Sequence, residues 1–202
     1  VSDVRRALTP EISAEMQTSF ILVDLGAGKQ RLGGSALAQI TGRDGDPVPD
    51  LDDPQLLVKL WQAVREAQAE GLLLAYHDRS DGGLFATACE KAFAGHCGVS
   101  LQLDMLTIDP FTADAGDYKI RTEQVTELRQ ERVLRALFNE EPGVVLQTTR
   151  ANRDRLLGLL RAHGLSVHSH VIGTHNDQDT IEVNNDGKCL FSLPRTTLQQ
   201  AW

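Results

Sequence analysis

The sequence has few cysteines and no apolar run of membrane-spanning length. Its three cysteines, Cys89, Cys97 and Cys189, are odd in number and lack the CxxC spacing of a zinc site, so they are predicted to be reduced structural thiols. No apolar stretch approaches the roughly 20 residues that a transmembrane helix needs, and the amino end lacks the apolar core of a signal peptide. These absences predict a cytoplasmic protein that does not contact membranes.

Basic charge is also scarce. The chain has 20 Lys and Arg against 28 Asp and Glu, and its formal net charge is -8. Nucleic acids and anionic membrane surfaces attract cations, so this balance argues against either as a general partner. The fractions of hydrophobic residues (41%) and charged residues (24%) are those of an ordinary soluble globular protein. Because the chain begins with Val1, we expect it to be a piece of a longer protein.

The 202 residues suffice for one large domain or two small ones. Hydrophobic periodicity and turn residues predict a mixed α/β order and one layered domain with a mixed sheet. Strands are predicted at 20–25, 72–76, 98–104, 143–148, 165–173, 180–183 and 189–193. Helices are predicted at 36–40, 54–71, 83–93, 128–138 and 150–164. Residues 104–127 are polar without a sustained period, which predicts a surface insertion.

Residues 76–84, "YHDRSDGGL", place a dense polar cluster and a Gly-Gly pair directly after an apolar run. A strand, a tight polar loop and a helix that begins at glycine form the local architecture that binds phosphates, since a helix start offers free N–H groups and a positive dipole end. Asp78 and Asp81 would repel phosphate unless a divalent cation lay between them, and Mg²⁺ commonly combines one or two carboxylates with phosphate oxygens. Ser80 would then donate its hydroxyl to phosphate.

The same stretch has a purely structural interpretation. Ser80 or Asp81 would cap the helix, Arg79 would pair with an acid and His77 would be half buried. An acidic loop before a helix is common, so the physical pattern alone slightly favours this second interpretation.

Several longer motifs in the sequence resemble those of a known enzyme family. "LLAYHDRSDGGL" with "EKAFAGHCGV", "VDLGAGKQRLGGSALAQ", "LFNEEPGVVLQ" and "RTTLQQAW" closely resemble, in the same order, the second synthetase half of the phosphoribosylformylglycinamidine synthase family. The resemblance spans nearly the whole chain. It implies a carboxy-terminal lobe like that of aminoimidazole ribonucleotide synthetase, an α+β sandwich with a mixed sheet and partly ferredoxin-like topology. Residues 1–18 would be a linker from a preceding domain, and residues 19–202 would be the lobe.

The resemblance also implies a function. Enzymes of that family are ATP- and glutamine-dependent ligases of purine biosynthesis that convert formylglycinamide ribonucleotide to formylglycinamidine ribonucleotide. Carried over to this chain, Asp78 matches a Mg²⁺ ligand and Ser80 matches a residue that contacts the nucleotide. The site would be an auxiliary one that holds ADP without turnover. Its other ligands would lie in preceding synthetase lobes, and a glutaminase domain would follow. The isolated piece would be inactive, with an exposed apolar docking face that could make it dimerise.

Other candidates carry weaker signals. His168 and His170 could bind a metal, but two alternating histidines are usually a solvated face. "GAGKQRLGGS" lacks P-loop spacing, so Lys29 has no assigned phosphate role. The trio Asn139, Glu140 and Glu141 is compatible with a metal or substrate site and equally with solvated acids at a helix exit.

Two further functions therefore stay open beside the nucleotide-binding lobe. One is a complete small ATP-dependent enzyme related to selenophosphate synthetase and thiamine phosphate kinase, which would need an amino-terminal ATP-binding lobe. The other is a purely structural packing lobe.

Overall fold

The chain forms one seven-stranded mixed sheet in the computed structural model, which describes residues 7–14, 17–108 and 122–202, the side chains of 122–126 excepted. The strands lie in the order β2-β4-β1-β5-β3-β6-β7. The pair β3–β6 is parallel and the other neighbouring strands are antiparallel. The strands are β1 Thr18–Asp24, β2 Ala75–Asp78, β3 Gly98–Gln102, β4 Gly143–Thr149, β5 Ser169–Asn176, β6 Thr180–Asn185 and β7 Lys188–Pro194. The predicted mixed α/β class is confirmed.

Helices accompany the sheet along the described chain. Their bounds are α1 Ala36–Thr41, α2 Pro54–Ala69, α3 Gly83–Gly95, α4 Asp104–Thr107, α5 Thr122–Phe138, α6 Arg153–Ala162 and α7 Arg195–Ala201. Helix α2 begins as predicted, with Pro54 as its first residue and the Asp53 carboxylate accepting a hydrogen bond from the Gln55 N–H at 2.9 Å. Within the described residues, no helix is both long and apolar enough to span a bilayer.

The sheet buries apolar side chains on both of its faces. Along β1, Phe20 and Leu22 belong to one core cluster, whereas Ile21 and Val23 belong to the other, because successive side chains of a strand point to opposite faces. Helices α3 and α5 contribute to the first cluster, and helices α2 and α6 contribute to the second. The fold is therefore a sandwich of helices on a central sheet.

Several predicted elements differ from the structure. The strand predicted at 72–76 lies at Ala75–Asp78, and the predicted insertion begins with helix α4. Helix α5 begins at Thr122, so the last residues of the predicted insertion are helical, while residues 109–121 lie outside the described part of the chain. A short 3₁₀ turn, Ser166–His168, replaces the start of the strand predicted at 165–173. Helix α7 was not predicted, because its short polar sequence has no apolar period.

The described part of the predicted linker packs against the folded unit. Ile12 is buried in the first core cluster, and the Thr9 carbonyl accepts a hydrogen bond from the Tyr76 N–H at 3.0 Å beside β2. The side-chain amide of Gln147 bonds both backbone groups of Ser13. Residues 7–14 thus belong to the lobe structurally, and their connection to a preceding domain stays a prediction.

Candidate functional site

The polar loop after β2 lies at one end of the sheet, beside the end of β1 and the start of β4. Asp78 is the last residue of β2 and pairs with Val144, and Asp24 at the end of β1 pairs with Gly143. Helix α3 begins at Gly83, five residues after Asp78. The strand, tight loop and helix that the sequence predicted are therefore present.

Arg79 points into the protein, with only 5% of its surface exposed. Its Nη2 lies 2.5 Å from Asp24 Oδ1, and its Nε donates to the Glu141 carbonyl at 2.7 Å. Burial alone would raise the pKa of the Asp24 carboxyl. The Arg79 guanidinium and hydrogen bonds from two backbone N–H groups outweigh burial and hold this pKa below its ordinary value. The prediction that Arg79 pairs with an acid is confirmed.

The Gly-Gly pair has a conformational and a packing reason. Gly82 and Gly83 both have positive φ, at 80° and 68°, which other residues rarely adopt. A Cβ on Gly83 would lie 2.6 Å from the Asn139 carbonyl oxygen and 2.7 Å from that of Leu137. Only glycine therefore lets the start of α3 approach the end of α5 this closely.

The first N–H group at the start of α3 already bonds an anionic group of the protein. The Gly82 N–H donates to Glu140 Oε1 at 2.8 Å, and the same oxygen accepts the Ala36 N–H of α1 at 2.9 Å. Gly82 is the N-cap and no side chain caps the helix, so the interpretation of Ser80 or Asp81 as cap is wrong. The acceptor for the Gly82 N–H is instead the carboxylate of Glu140, 58 residues away in sequence.

Asp78 and Ser80 are exposed, unlike the buried Arg79 between them. No described cation forms a salt bridge with Asp78. Burial, and second a hydrogen bond to the Asp78 carboxylate, raise the pKa of the Tyr76 hydroxyl above its usual range. His77 is half buried, as predicted, and its Nε2 lies 3.0 Å from Glu90 Oε2. The loop thus alternates a bonded inner residue, Arg79, with two outward polar side chains.

The residues present fit a magnesium ion only as part of a larger site. Within the described residues, no group of three or more His, Cys, Asp or Glu side chains is placed to hold a metal ion. Asp78 offers one exposed hard oxygen ligand, and Mg²⁺ is usually bound through one or two carboxylates together with phosphates and water. This lobe would therefore supply one ligand, with the remainder coming from elsewhere.

The acids after α5 bond other groups of the protein, and Glu140 is half buried. Glu141 is fully buried, and its carboxylate binds Arg31 through three hydrogen bonds: the backbone N–H at 3.0 Å, Nε at 2.6 Å and Nη2 at 2.7 Å. Asn139 is also buried, and its amide donates to the Arg135 carbonyl at 2.6 Å. Both interpretations of this trio, a metal site and a solvated helix exit, are thereby replaced by an internal hydrogen-bond network.

The two histidines do not form a solvated face. His168 is buried and its Nδ1 lies 2.8 Å from the Asp24 carbonyl, and burial lowers the pKa of His170. Lys29 pairs with Asp52 at 3.0 Å on the surface. Sequence reasoning missed Tyr76, Asp24 and the anchoring role of Glu140, because their partners are distant in sequence and no local pattern signals them.

The family of AIR synthase related proteins, C-terminal domain, matches residues 21–184. Among solved structures, PurL of Thermotoga maritima in complex with ATP has a TM-score of 0.67 at 15% identity, over 96% of this chain and 27% of that one. Phosphoribosylformylglycinamidine synthase II from the same organism has a TM-score of 0.66 at 16% identity, over 96% and 28%. HypE of E. coli, a hydrogenase maturation protein, has a TM-score of 0.58 at 16% identity, over 91% and 50%. At such identities these likenesses show the fold, and the chain spans little more than a quarter of the first two.

Proposed function

Because the chain belongs to the AIR synthase related protein family through its C-terminal domain, we propose that it is the carboxy-terminal lobe of a synthetase half in a phosphoribosylformylglycinamidine synthase. That enzyme would be an ATP- and glutamine-dependent ligase of purine biosynthesis. The motifs around residues 73–84 and 137–147 support the second half of the large form as the origin of this lobe. Two structural relatives are described as complexes with ATP and with ADP, which supports a nucleotide as the ligand.

The exposed pair of side chains Asp78 and Ser80 carries this proposal. The loop around them is held by buried bonds of Arg79 and Gly82, yet these two polar side chains face solvent at the start of α3. Apart from the hydrogen bond that the Asp78 carboxylate accepts from the Tyr76 hydroxyl, no described residue bonds either side chain. A nucleotide site gains preorganisation, because the backbone that presents both groups is already ordered.

Each residue has a distinct proposed role. Asp78 supplies one carboxylate ligand to Mg²⁺, which neutralises phosphate charge when bound. The Ser80 hydroxyl donates to a phosphate oxygen. Arg79 and Glu140 are positioning residues. Arg79 fixes the loop to β1, and Glu140 accepts the hydrogen bond of the Gly82 N–H. Phosphate then meets the outer side of the loop.

The proposed site is shared between lobes. Because Asp78 is a single ligand, the other magnesium ligands would come from a preceding synthetase lobe. The ammonia for the reaction would come from a following glutaminase domain. The nucleotide would be an auxiliary ADP that is not turned over. We therefore expect the isolated lobe to have no ligase activity and to bind Mg-ADP weakly.

Calorimetric titration of Mg-ADP into the 202-residue chain and into the longer polypeptide tests the proposal. We expect binding by the longer polypeptide that weakens about 10-fold or more in Asp78→Asn, because a charged ligand of Mg²⁺ is lost. Ser80→Ala should weaken it about 2- to 10-fold, the effect of one hydrogen bond. Asp81→Asn removes the same charge from the same exposed loop and serves as the matched control.

One observation favours the alternative of a structural packing lobe. The Gly82 N–H, which would be the natural phosphate donor, already bonds Glu140. If Asp78→Asn and Asp81→Asn leave Mg-ADP binding equally unchanged in the longer polypeptide, the packing lobe is correct and the nucleotide proposal fails. Tight binding by the isolated chain would instead indicate that the pocket is complete within one lobe.

A further inference from the structure

A cavity of about 660 Å³ lies at the end of the sheet opposite to the Asp78 loop. Strand β1 runs from Thr18, which lines this cavity, to Asp24, which binds Arg79. Seven residues of extended chain separate the two ends by about 20 Å. The cavity is therefore distinct from the proposed nucleotide site, and its volume falls in the range of about 300–1,000 Å³ typical of small-molecule sites.

The lining of this cavity is rich in cationic and hydrogen-bonding side chains. Arg150 and Arg153 both line it, Arg150 in the turn between β4 and α6 and Arg153 as the first residue of α6. Arg150 bonds the neutral Gln17 side chain at 3.3 Å, and none of the described carboxylates forms a salt bridge with it. Among the described residues, Arg153 pairs only with the adjacent exposed Asp154, an interaction of small energy. Two guanidinium groups are thus available to a ligand.

The start of helix α6 adds to this positive potential. Arg153 is the first residue of the helix, and the N-cap residue, Asn152, makes no side-chain cap bond. The positive end of the helix dipole lies beside the two guanidinium groups, and the acidic residue in its first turn is the exposed Asp154, which pairs with Arg153. This differs from the start of α3, where the Glu140 carboxylate occupies the Gly82 N–H.

A buried hydroxyl in the cavity wall provides an independent sign of a ligand. Ser19 is only 6% exposed and lines the cavity, and its Oγ makes no hydrogen bond to any described residue. Across the described chain, no fully enclosed side-chain oxygen lacks a partner, so the Ser19 oxygen is reached from the cavity. Its neighbour Thr18 already bonds His175 Nδ1 at 2.8 Å. A strand hydroxyl kept free at this depth is suited to donate to an anion.

We propose that this cavity binds the phosphoryl group of a small phosphorylated molecule, with Arg150, Arg153 and Ser19 as its donors. Guanidinium forks match phosphate oxygens bidentately, and a serine hydroxyl completes the set of donors. The Asp177 carboxylate lines the same cavity and opposes an anion, so it limits the affinity. Phosphate can be free or carried by an organic molecule, and the volume leaves room for an attached group the size of a sugar.

Calorimetric titration at constant ionic strength tests the site in the whole chain, with inorganic phosphate and glucose 6-phosphate as probes and acetate as a less charged anion. Arg150→Gln and Arg153→Gln should each weaken phosphate binding about 10-fold or more, since a charge-assisted bond is lost. Ser19→Ala should weaken it about 2- to 10-fold. Asp177→Asn should strengthen it about 2- to 5-fold, which a misfolded variant cannot imitate.

The matched control is Arg161→Gln, which removes the same charge from the other end of α6. We expect it to leave phosphate binding unchanged, as should Asp78→Asn at the distant loop. Binding of glucose 6-phosphate would identify a carried phosphoryl group, and binding of inorganic phosphate alone would identify the free ion, and both support the site. Equal weakening by Arg161→Gln and Arg150→Gln, or acetate binding as tight as phosphate binding, would overturn it.

Discussion

At residue 79 the chain holds a guanidinium in the interior, and the carboxylate that balances it lies 55 residues earlier. Removing one partner of such a buried pair leaves an uncompensated charge, which commonly costs about 3–5 kcal/mol. We therefore expect Asp24→Asn to lower the free energy of unfolding by about that amount at pH 7, measured by urea denaturation. Asp81→Asn removes an exposed carboxylate and should change it by less than about 0.5 kcal/mol.

The Asp24 pair also predicts a pH dependence. The pKa of Asp24 in the folded state lies below its ordinary value of 3.8, so the contribution of Asp24 to stability is present above that pH and is lost as pH falls through the folded pKa. The stability difference between wild type and Asp24→Asn should be constant above about pH 5 and shrink below pH 4. A difference that stayed the same down to pH 2 would contradict the assigned role of Asp24.

Lys91 is a buried charge whose removal should stabilise the fold, in contrast to Asp24. It is 1% exposed; its Nζ lies 3.3 Å from the Pro10 carbonyl and 5.8 Å from the centroid of the Phe20 ring. Burial lowers its pKa from 10.5 to about 8, which corresponds to about 3 kcal/mol against the charged form. Lys91→Met should therefore stabilise the fold by about 1–3 kcal/mol at pH 7.

The advantage of Lys91→Met should depend on pH. Between the folded and unfolded pKa values, the unfolded wild type binds more protons than the folded one, so wild-type stability rises from about pH 8 to pH 10.5. The gain from the substitution should fall over that interval, measured by urea denaturation at several pH values. A gain independent of pH would mean that better packing alone causes it.

The helix starts and turns that depend on neighbouring residues could be predicted from the sequence. Asp53 and Pro54 fix the start of α2, and Asp186 with Gly187, both at positive φ, forms the turn between β6 and β7. The partners of Glu140 and Glu141 could not be predicted, because they lie 58 to 110 residues away and depend on strand order. The Asp78 loop was therefore located correctly, whereas the groups that fix its shape were not.

The contact between α3 and α5 supplies a test of one such element. Gly83→Ala would place a Cβ within 2.7 Å of two carbonyl oxygens at a positive φ, so it should destabilise the fold by at least about 2 kcal/mol. The matched control is Gly158→Ala on the exposed side of helix α6, where nothing lies within 4 Å of the added Cβ. That change should stabilise the fold by about 0.5–1 kcal/mol. Thermal unfolding compares both, and equal effects would contradict the close approach of α3 to α5.

For the whole molecule, the outer side of α2 indicates how the lobe is completed. Trp61 and Leu57 are 63% and 51% exposed, with Val58 beside them. The buried side of the helix is formed instead by Leu60, Ala63, Val64 and Ala67. Since we propose that the chain is one lobe of a longer synthetase, we infer that a neighbouring lobe would cover this outer surface.

In the absence of that lobe, a second copy of the chain could pack against the outer side of α2. We expect the isolated chain to self-associate at concentrations of tens of micromolar, and Leu57→Ser with Trp61→Ser to shift it to monomer in sedimentation velocity. Val167→Ser changes an apolar side chain that is 79% exposed and lies outside α2, and it should leave the association unchanged. If the longer polypeptide with both α2 substitutions stays intact and equally stable, the neighbouring lobe lies elsewhere. A drop in its stability beyond that of the isolated chain would assign this surface to the contact between lobes.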